Sequence, residues 1–121
     1  MITLKKNWKN CALTINSSIN DAIANLQKTG YKIIFVVGSN NQLLGIVTDG
    51  DIRRGLLKGY NINSSIKNII RSKFLHLTKN FENINILEFM LDNEIFQLPL
   101  LDNKKKILGF YIFNQKNYNK K

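Results

Sequence analysis

The sequence predicts an α+β fold made of two tandem β-α-β-β-α units packed as a pseudo-twofold pair. The first observation is an internal repeat: residues 43–47 (Leu-Leu-Gly-Ile-Val) resemble residues 107–111 (Ile-Leu-Gly-Phe-Tyr), and residues 33–37 align with residues 97–101 at the same spacing. The second is a polar turn between the two apolar runs of each half, a pattern typical of a β-hairpin. The third is the length of 121 residues, which suits one compact module.

The repeat divides the chain into a first half, residues 1–60, and a second half, residues 61–121, which we interpret as two repeats of one module. A linker at residues 59–63 separates them. Each half alone would have a thin core, so we expect the two copies to pack their sheets together.

The first half is predicted to contain a strand, a helix, a hairpin and a second helix. A short strand at residues 12–15 precedes the polar residues 17–21, which predict a helix N-terminus. Gly30 suits the end of that helix. After the hairpin, Asp49-Gly50 is a turn pair that leads into a second helix ending near Gly59. Apolar residues at helical spacing form one face of the first helix: Ile19, Ala22, Ile23 and Leu26.

The second half repeats this order. Ser64-Ser65 is predicted to cap a short helix that runs through Ile70. Pro99 is predicted to open a strand, where its missing N–H costs least. The predicted helix of this half has an apolar face formed by Ile84, Leu87, Met90 and Leu91.

The composition indicates a globular, strongly basic chain. Hydrophobic residues make up 44% and charged residues 21%, the net charge is +10 and the pI is about 9.9. Such basicity favours anionic partners, but the basic residues are spread over both halves, and neither an aromatic-basic ribonucleoprotein motif nor a helix-turn-helix pattern stands out, so nucleic acid is not the expected partner. No apolar run approaches the roughly 20 residues that cross a bilayer. We expect a cytoplasmic chain without membrane association.

A hydroxyl and a carboxylate come together where the first hairpin ends. Thr48 leaves the predicted strand, and Asp51 follows three residues later at the start of a helix. A carboxylate can accept hydrogen bonds from the 2′- and 3′-hydroxyls of a ribose, while free N–H groups and the helix dipole favour a phosphate. Arg53 and Arg54 add donors for phosphate oxygens. The spacing leaves a simpler alternative open, in which Asp51 only caps the helix and Asp49 only makes the turn.

With these residues, nearly the whole chain resembles the cystathionine-β-synthase-type (CBS) domain pair, also called a Bateman module. The adenosine-binding signature of that family is a glycine, two apolar residues, Thr or Ser, any two residues and Asp. It matches Gly45, Ile46, Val47, Thr48 and Asp51. The resemblance implies that Asp51 binds the ribose hydroxyls and that Thr48 lies near the ribose and phosphate.

The resemblance also implies where the base would lie. In the family it slots between backbone segments near the first strand and the hairpin strand, which correspond here to residues 13–15 and 33–35. Leu13, Thr14 and Ile34 are therefore candidate ligand-binding residues. Lys32, which opens the hairpin strand, is a further candidate for a phosphate contact.

A narrower resemblance connects the chain to one subgroup of the family. Residues 7–9, 40–45 and 48–59 are similar to the subgroup in which a CBS pair precedes a sugar-phosphate nucleotidyltransferase domain. The resemblance implies a regulatory piece that serves nucleotide-sugar supply for surface glycans, either cut from a longer enzyme or free-standing. The nucleotidyltransferase domain is absent from the sequence, and no carboxylate pair, histidine cluster or nucleophile triad stands out, so we expect neither an enzyme nor a metal site.

The second half departs from the adenosine-binding signature. Ile112 stands where the first half has Thr48, and Gln115 stands where it has Asp51. Without a carboxylate for the ribose, a second site would be weak or empty, so we expect at most one good nucleotide site per chain.

Two functions follow from this sequence. The leading one is a regulatory module that binds AMP, ADP or ATP, requires no cofactor, forms a homodimer and controls an attached or associated nucleotidyltransferase domain. The alternative is a structural dimerisation module without a ligand.

Overall fold

A computed structural model describes residues 2–79 and 85–113 of the chain. The strands are β1 (Ile2–Lys5), β2 (Ala12–Leu13), β3 (Ile34–Val37), β4 (Leu43–Val47), β5 (Leu77–Thr78), β6 (Gln97–Leu101) and β7 (Ile107–Phe113), and the α-helices are α1 (Ile19–Thr29), α2 (Asp49–Leu57) and α3 (Ile86–Asp92). Short 3₁₀ helices cover Trp8–Cys11, Ser39–Asn41 and Ile66–Asn68. The predicted α+β class is confirmed. Within the described residues, no helix is long and apolar enough to cross a membrane.

The contacts within the chain divide it into two compact units. The first unit is Lys9–Phe74, and the second combines the N-terminal residues up to Trp8 with the chain from Leu75 onward. Residues 61–74 join the first unit because Ser65 bridges to Ser18 and Arg71 bridges to Ile46, both antiparallel. The N-terminus joins the second unit because β1 pairs antiparallel with β7.

The first unit contains a three-stranded sheet in the order β2-β3-β4. β2 runs parallel to β3, and β3 pairs antiparallel with β4 as the predicted hairpin. α1 begins where predicted, with a capping box between Ser18 and Asp21, and ends at Gly30 in the left-handed conformation (φ 72°). The sheet, both helices and the segment after them share one buried core: Ile19, Ala22, Ile34, Val36, Val47, Ile52 and Ile66. Because Val47 and Ile52 are both anchored in it, this core fixes the turn between β4 and α2.

The second unit contains a four-stranded sheet in the order β1-β7-β6-β5. α3 includes Leu87, Met90 and Leu91 of the predicted apolar face, whereas Ile84 lies outside the described residues. The prediction that Pro99 opens a strand is wrong, because it is the third residue of β6. β5 pairs with Leu100 and Leu101, which follow the proline. Pro99, which has no N–H to donate, therefore lies outside the β5–β6 pairing.

Candidate functional site

The turn from β4 into α2 brings a threonine and an aspartate into contact. β4 ends at Val47, Thr48 is the N-cap residue in an extended conformation, and α2 begins at Asp49. Asp51 is therefore the third residue of the helix, and its side chain folds back onto the cap. The Thr48 backbone N–H and the Thr48 hydroxyl each donate to Asp51 Oδ2 at 2.9 Å. Asp51 thus completes a capping box, which is the simpler role that the spacing left open.

Two arginines also bind the Asp51 carboxylate. Arg54 Nη2 donates to Oδ1 at 2.9 Å, and Arg71 Nη2 donates to Oδ2 at 3.0 Å. The Asp51 side chain is only 8% exposed, whereas those of Arg54 and Arg71 are 60% and 45% exposed. The carboxylate is thus paired with two cations in addition to closing the helix N-terminus.

Arg71 was not among the residues predicted from the sequence. It reaches Asp51 because its backbone pairs with the hairpin: the Ile46 N–H donates to the Arg71 carbonyl at 3.0 Å, and the Arg71 N–H donates back at 2.9 Å. Its Nη2 also contacts Thr48 Oγ1 at 3.3 Å. No local sequence pattern indicates this contact, because it depends on a pairing between segments far apart in the chain.

Gly45 makes that pairing sterically possible. A Cβ atom at this position would lie 2.8 Å from the Arg71 carbonyl oxygen and 2.6 Å from Ile70 Cγ1. Only a residue without a side chain lets the segment carrying Arg71 come this close to β4. The glycine that opens the predicted signature therefore has a packing reason in this chain.

Asp51 is held in its ionised form. Burial alone would raise the pKa of its carboxyl group, but hydrogen bonds from Arg71, the Thr48 backbone, Arg54 and the Thr48 hydroxyl together lower this pKa below its ordinary value. The site therefore presents a carboxylate that acts as a hydrogen-bond acceptor at neutral pH.

This lowered pKa predicts how stability depends on pH. A carboxyl group whose pKa is lower in the folded state than in the unfolded state stabilises the fold at neutral pH. This stabilisation is complete above the unfolded-state pKa, about 3.9 for aspartate, and it is lost as the pH falls through the folded-state pKa. The free energy of unfolding of the wild-type chain should exceed that of Asp51→Asn at neutral pH, and the difference should shrink below about pH 4. Urea denaturation of both proteins across this range measures it. A difference independent of pH would mean that the carboxylate is not stabilised in its charged form.

The other predicted residues of α2 lie apart from this cluster. Arg53 Nη1 lies 3.3 Å from Asp49 Oδ2, and both side chains are well exposed, at 66% and 83%. Of the predicted residues in this helix and its cap, the structure thus brings together Thr48, Asp51 and Arg54.

The predicted base-binding residues lie on or near the strands. The Ile34 side chain is fully buried in the core of the first unit, and Leu13 packs partly buried against the same core. Thr14 is exposed, and its backbone N–H donates to Ser17 Oγ at 3.3 Å. Because the Ile34 side chain is occupied by core packing, a ligand could contact this residue only through its backbone.

Two cavities of the first unit are lined by predicted residues. One, of about 180 Å³, adjoins the carboxylate and is lined by Asp51, Arg54, Gly55, Lys58, Asn68, Ile69 and Ile70. The other, of about 440 Å³, is lined by Ile23, Leu26, Gln27, Lys32 and Asp49. Pockets that enclose a small ligand usually measure about 300–1,000 Å³, so the cavity beside Asp51 has room for only part of a nucleotide. Sequence reasoning missed Lys58 and Asn68, which carry no motif of their own.

The second unit is built differently at the corresponding position. Ile112, which aligns with Thr48, lies inside β7 and pairs with Thr3 of β1 and Gln97 of β6. The strand thus continues where the first unit turns into a helix. Gln115 lies outside the described residues. Within the described residues, no group of three or more His, Cys, Asp or Glu side chains could hold a metal ion.

Comparison with known families identifies the unit that carries this site. Residues 8–58 match the family model of the CBS domain. The first repeat is therefore similar to a CBS domain. The match extends over the hairpin, the Thr48–Asp51 turn and α2, and it ends before Arg71.

Relatives and solved structures extend the comparison to most of the chain. It is 31% identical over 105 residues to an uncharacterized protein of Helicobacter pylori strain J99, covering 83% of this chain and 31% of the relative. It is 26% identical over 97 residues to the arabinose 5-phosphate isomerase GutQ of Escherichia coli K12, covering 80% and 30%. The chain thus spans about a third of the length of these curated relatives.

A solved structure shows the fold of both repeats. The crystal structure of the CBS domain pair of protein MJ0100, in complex with 5′-methylthioadenosine and S-adenosyl-L-methionine, has a TM-score of 0.69 and 22% identity, covering 91% of this chain and 89% of that one. The chain has the fold of a CBS domain pair.

Proposed function

We propose that this chain is a regulatory module that binds an adenosine nucleotide (AMP, ADP or ATP) with Asp51 as the ribose contact. The observation that carries the proposal is a buried, ionised carboxylate at a helix N-terminus, bordered by arginines and facing a cavity. The compounds in the MJ0100 CBS pair, which contain adenosine but no phosphate, support an adenosine-containing ligand.

The hydrogen-bond geometry at Asp51 supports a ribose contact. Oδ1 accepts one hydrogen bond, from Arg54, and a carboxylate oxygen can accept two. A sugar hydroxyl can therefore join this oxygen without displacing the arginine. Thr48, Arg54 and Arg71 lie within hydrogen-bond distance of the carboxylate. From these positions they can also donate hydrogen bonds to a phosphate group of the ligand.

The remaining predicted residues are proposed as further contacts of the ligand, outside the Asp51 cluster. Lys32 and Asp49 share the larger cavity of the first unit, and Arg53 lies beside Asp49. Leu13, Thr14 and the Ile34 backbone would contact the base. In this assignment, the first repeat supplies the one good nucleotide site of the chain.

The module would act on a catalytic domain that is attached or associated, and it has no enzymatic activity of its own. A ligand controls such a domain only if it binds two conformations of the module with different affinity. The resemblance found in the sequence favours a sugar-phosphate nucleotidyltransferase, and the likeness to GutQ adds a sugar-phosphate isomerase as a second candidate. We further propose that the module is a cytoplasmic homodimer.

Calorimetric titration of the full chain with AMP, ADP and ATP tests the proposal. At least one should bind with a dissociation constant in the micromolar range, equivalent to about −8 kcal/mol. Sedimentation with and without nucleotide gives the oligomeric state in the same samples. A dimer that binds none of the three would contradict the proposal and support the structural dimerisation module.

A further inference from the structure

Positive charge exceeds negative charge around Asp51. Arg54 and Lys58 line the cavity beside it, and Arg71 binds its Oδ2, whereas Asp51 is the one carboxylate among the described residues that line this cavity. A ribose is uncharged and requires no cation, so a ligand recognised only by its sugar would leave this excess unexplained. A phosphate group would match it.

The two carboxylate oxygens of Asp51 are occupied unequally. Oδ2 accepts three hydrogen bonds, from the Thr48 N–H, the Thr48 hydroxyl and Arg71 Nη2. The lone pairs of one carboxylate oxygen accommodate about two hydrogen-bond donors, so Oδ2 is already fully occupied. A pair of ribose hydroxyls that donates to both oxygens therefore requires one donor to leave Oδ2, and the Thr48 N–H is fixed by the helix backbone.

Arg71 is the donor that can leave. Its side chain is 45% exposed, so its guanidinium reaches solvent, whereas its backbone is fixed to Ile46 by two hydrogen bonds of 3.0 and 2.9 Å. Side-chain rotation alone would release the carboxylate without disturbing the strand pairing.

We propose that Arg71 changes partner when the ligand binds: it neutralises Asp51 in the free chain and moves to the ligand's phosphate when the ribose hydroxyls replace it. This inference rests on the proposed ribose contact of Asp51. A nucleoside would displace Arg71 and offer it no anion in return, whereas a nucleotide supplies one. Arg71 is thus a specificity-determining residue that makes the site select phosphorylated adenosine compounds over adenosine.

Titration of AMP and adenosine into the wild-type chain and Arg71→Gln tests this exchange. The wild type should prefer AMP over adenosine, and Arg71→Gln should reduce that preference about tenfold, with AMP bound more weakly and adenosine bound equally or more tightly. Lys67→Gln is the matched control, because it removes one positive charge from the same segment at an exposed position outside the cluster. It should leave the preference unchanged.

A measurement on the wild type keeps the test independent of how Arg71→Gln folds. Adenosine is titrated in inorganic phosphate and in chloride at equal ionic strength. Partner exchange predicts tighter adenosine binding in phosphate, because the free anion receives Arg71, and binding that is coupled in this way is reciprocal. Weaker or unchanged adenosine binding in phosphate would overturn the exchange.

The outcomes separate this inference from the proposed function. Equal weakening of AMP and adenosine by Arg71→Gln would mean that Arg71 only positions Asp51, and the exchange would be rejected while the nucleotide site stands. An equal change of preference in Lys67→Gln would attribute the effect to long-range charge and would also reject it. Failure of the wild type to bind any adenosine compound would overturn the proposed function itself.

Discussion

Replacement of Asp51 by alanine is expected to weaken AMP binding by roughly 1.5–3 kcal/mol, the usual contribution of hydrogen bonds to a charged group. The variant removes the proposed acceptor of both ribose hydroxyls and leaves Arg54 and Arg71 without their shared carboxylate. Calorimetry on the full chain gives the change directly, and circular dichroism establishes that the variant is folded at the temperature used.

Asp21→Ala is a matched control for this substitution. Asp21 occupies the same third helical position in α1 and closes the same kind of capping box, through a 3.0 Å hydrogen bond from the Ser18 N–H. The Asp21→Ala substitution should lower the free energy of unfolding by about 0.5–2 kcal/mol through loss of the capping box, as the loss of the cap does in Asp51→Ala, and it should leave AMP binding unchanged. Equal affinities for Asp51→Ala and the wild type would reject the assigned ribose contact.

Replacement of Gly45 by alanine is expected to destabilise the fold by about 1–3 kcal/mol, the usual cost of overpacking. The new Cβ would lie 2.8 Å from the Arg71 carbonyl oxygen, which belongs to the backbone and cannot rotate away. Relief requires the segment around Arg71 to move off β4, so the Ile46–Arg71 hydrogen bonds and the contact of Arg71 with Asp51 should weaken together. Urea denaturation measures the stability change.

Gly38→Ala provides the comparison in the same hairpin. Its Cβ would meet the flexible Leu44 side chain at 3.1 Å, and its backbone is extended, at φ −111°. A smaller loss of stability is expected, because a rotatable side chain can yield where a carbonyl cannot. Equal destabilisation by the two substitutions would mean that the close contact between Gly45 and the Arg71 backbone does not determine the effect of a Cβ atom at position 45.

The parts of the structure that depend on neighbouring residues could be predicted from the sequence. Helical spacing, the capping residues and Gly30 define α1 within a few positions, and the polar turn between apolar runs defines the β3–β4 hairpin. Thr48 and Asp51 meet because Asp51 lies three positions after Thr48 at the start of a helix, and this geometry is local.

The parts that depend on distant segments could not be predicted. Arg71 joins the site through a bridge to Ile46, and β1 joins the second unit through β7, although neither pairing has a turn or a shared period to indicate it. For the same reason the compact unit that carries the site extends to Phe74, past the last residue of the first predicted repeat. Arg53 and Arg54 are adjacent in sequence, but they point to different carboxylates because consecutive helical residues face different directions.

The most direct test of the ribose contact is a comparison of AMP with 2′,3′-dideoxy-AMP, titrated into the wild-type chain and into Asp51→Asn, which keeps the side-chain volume. If Asp51 accepts the two hydroxyls, the wild type binds AMP at least about tenfold more tightly than the dideoxy compound, and this preference disappears in the variant. If the two proteins prefer AMP by the same factor, the hydroxyls are bound elsewhere, and the carboxylate serves the helix cap alone.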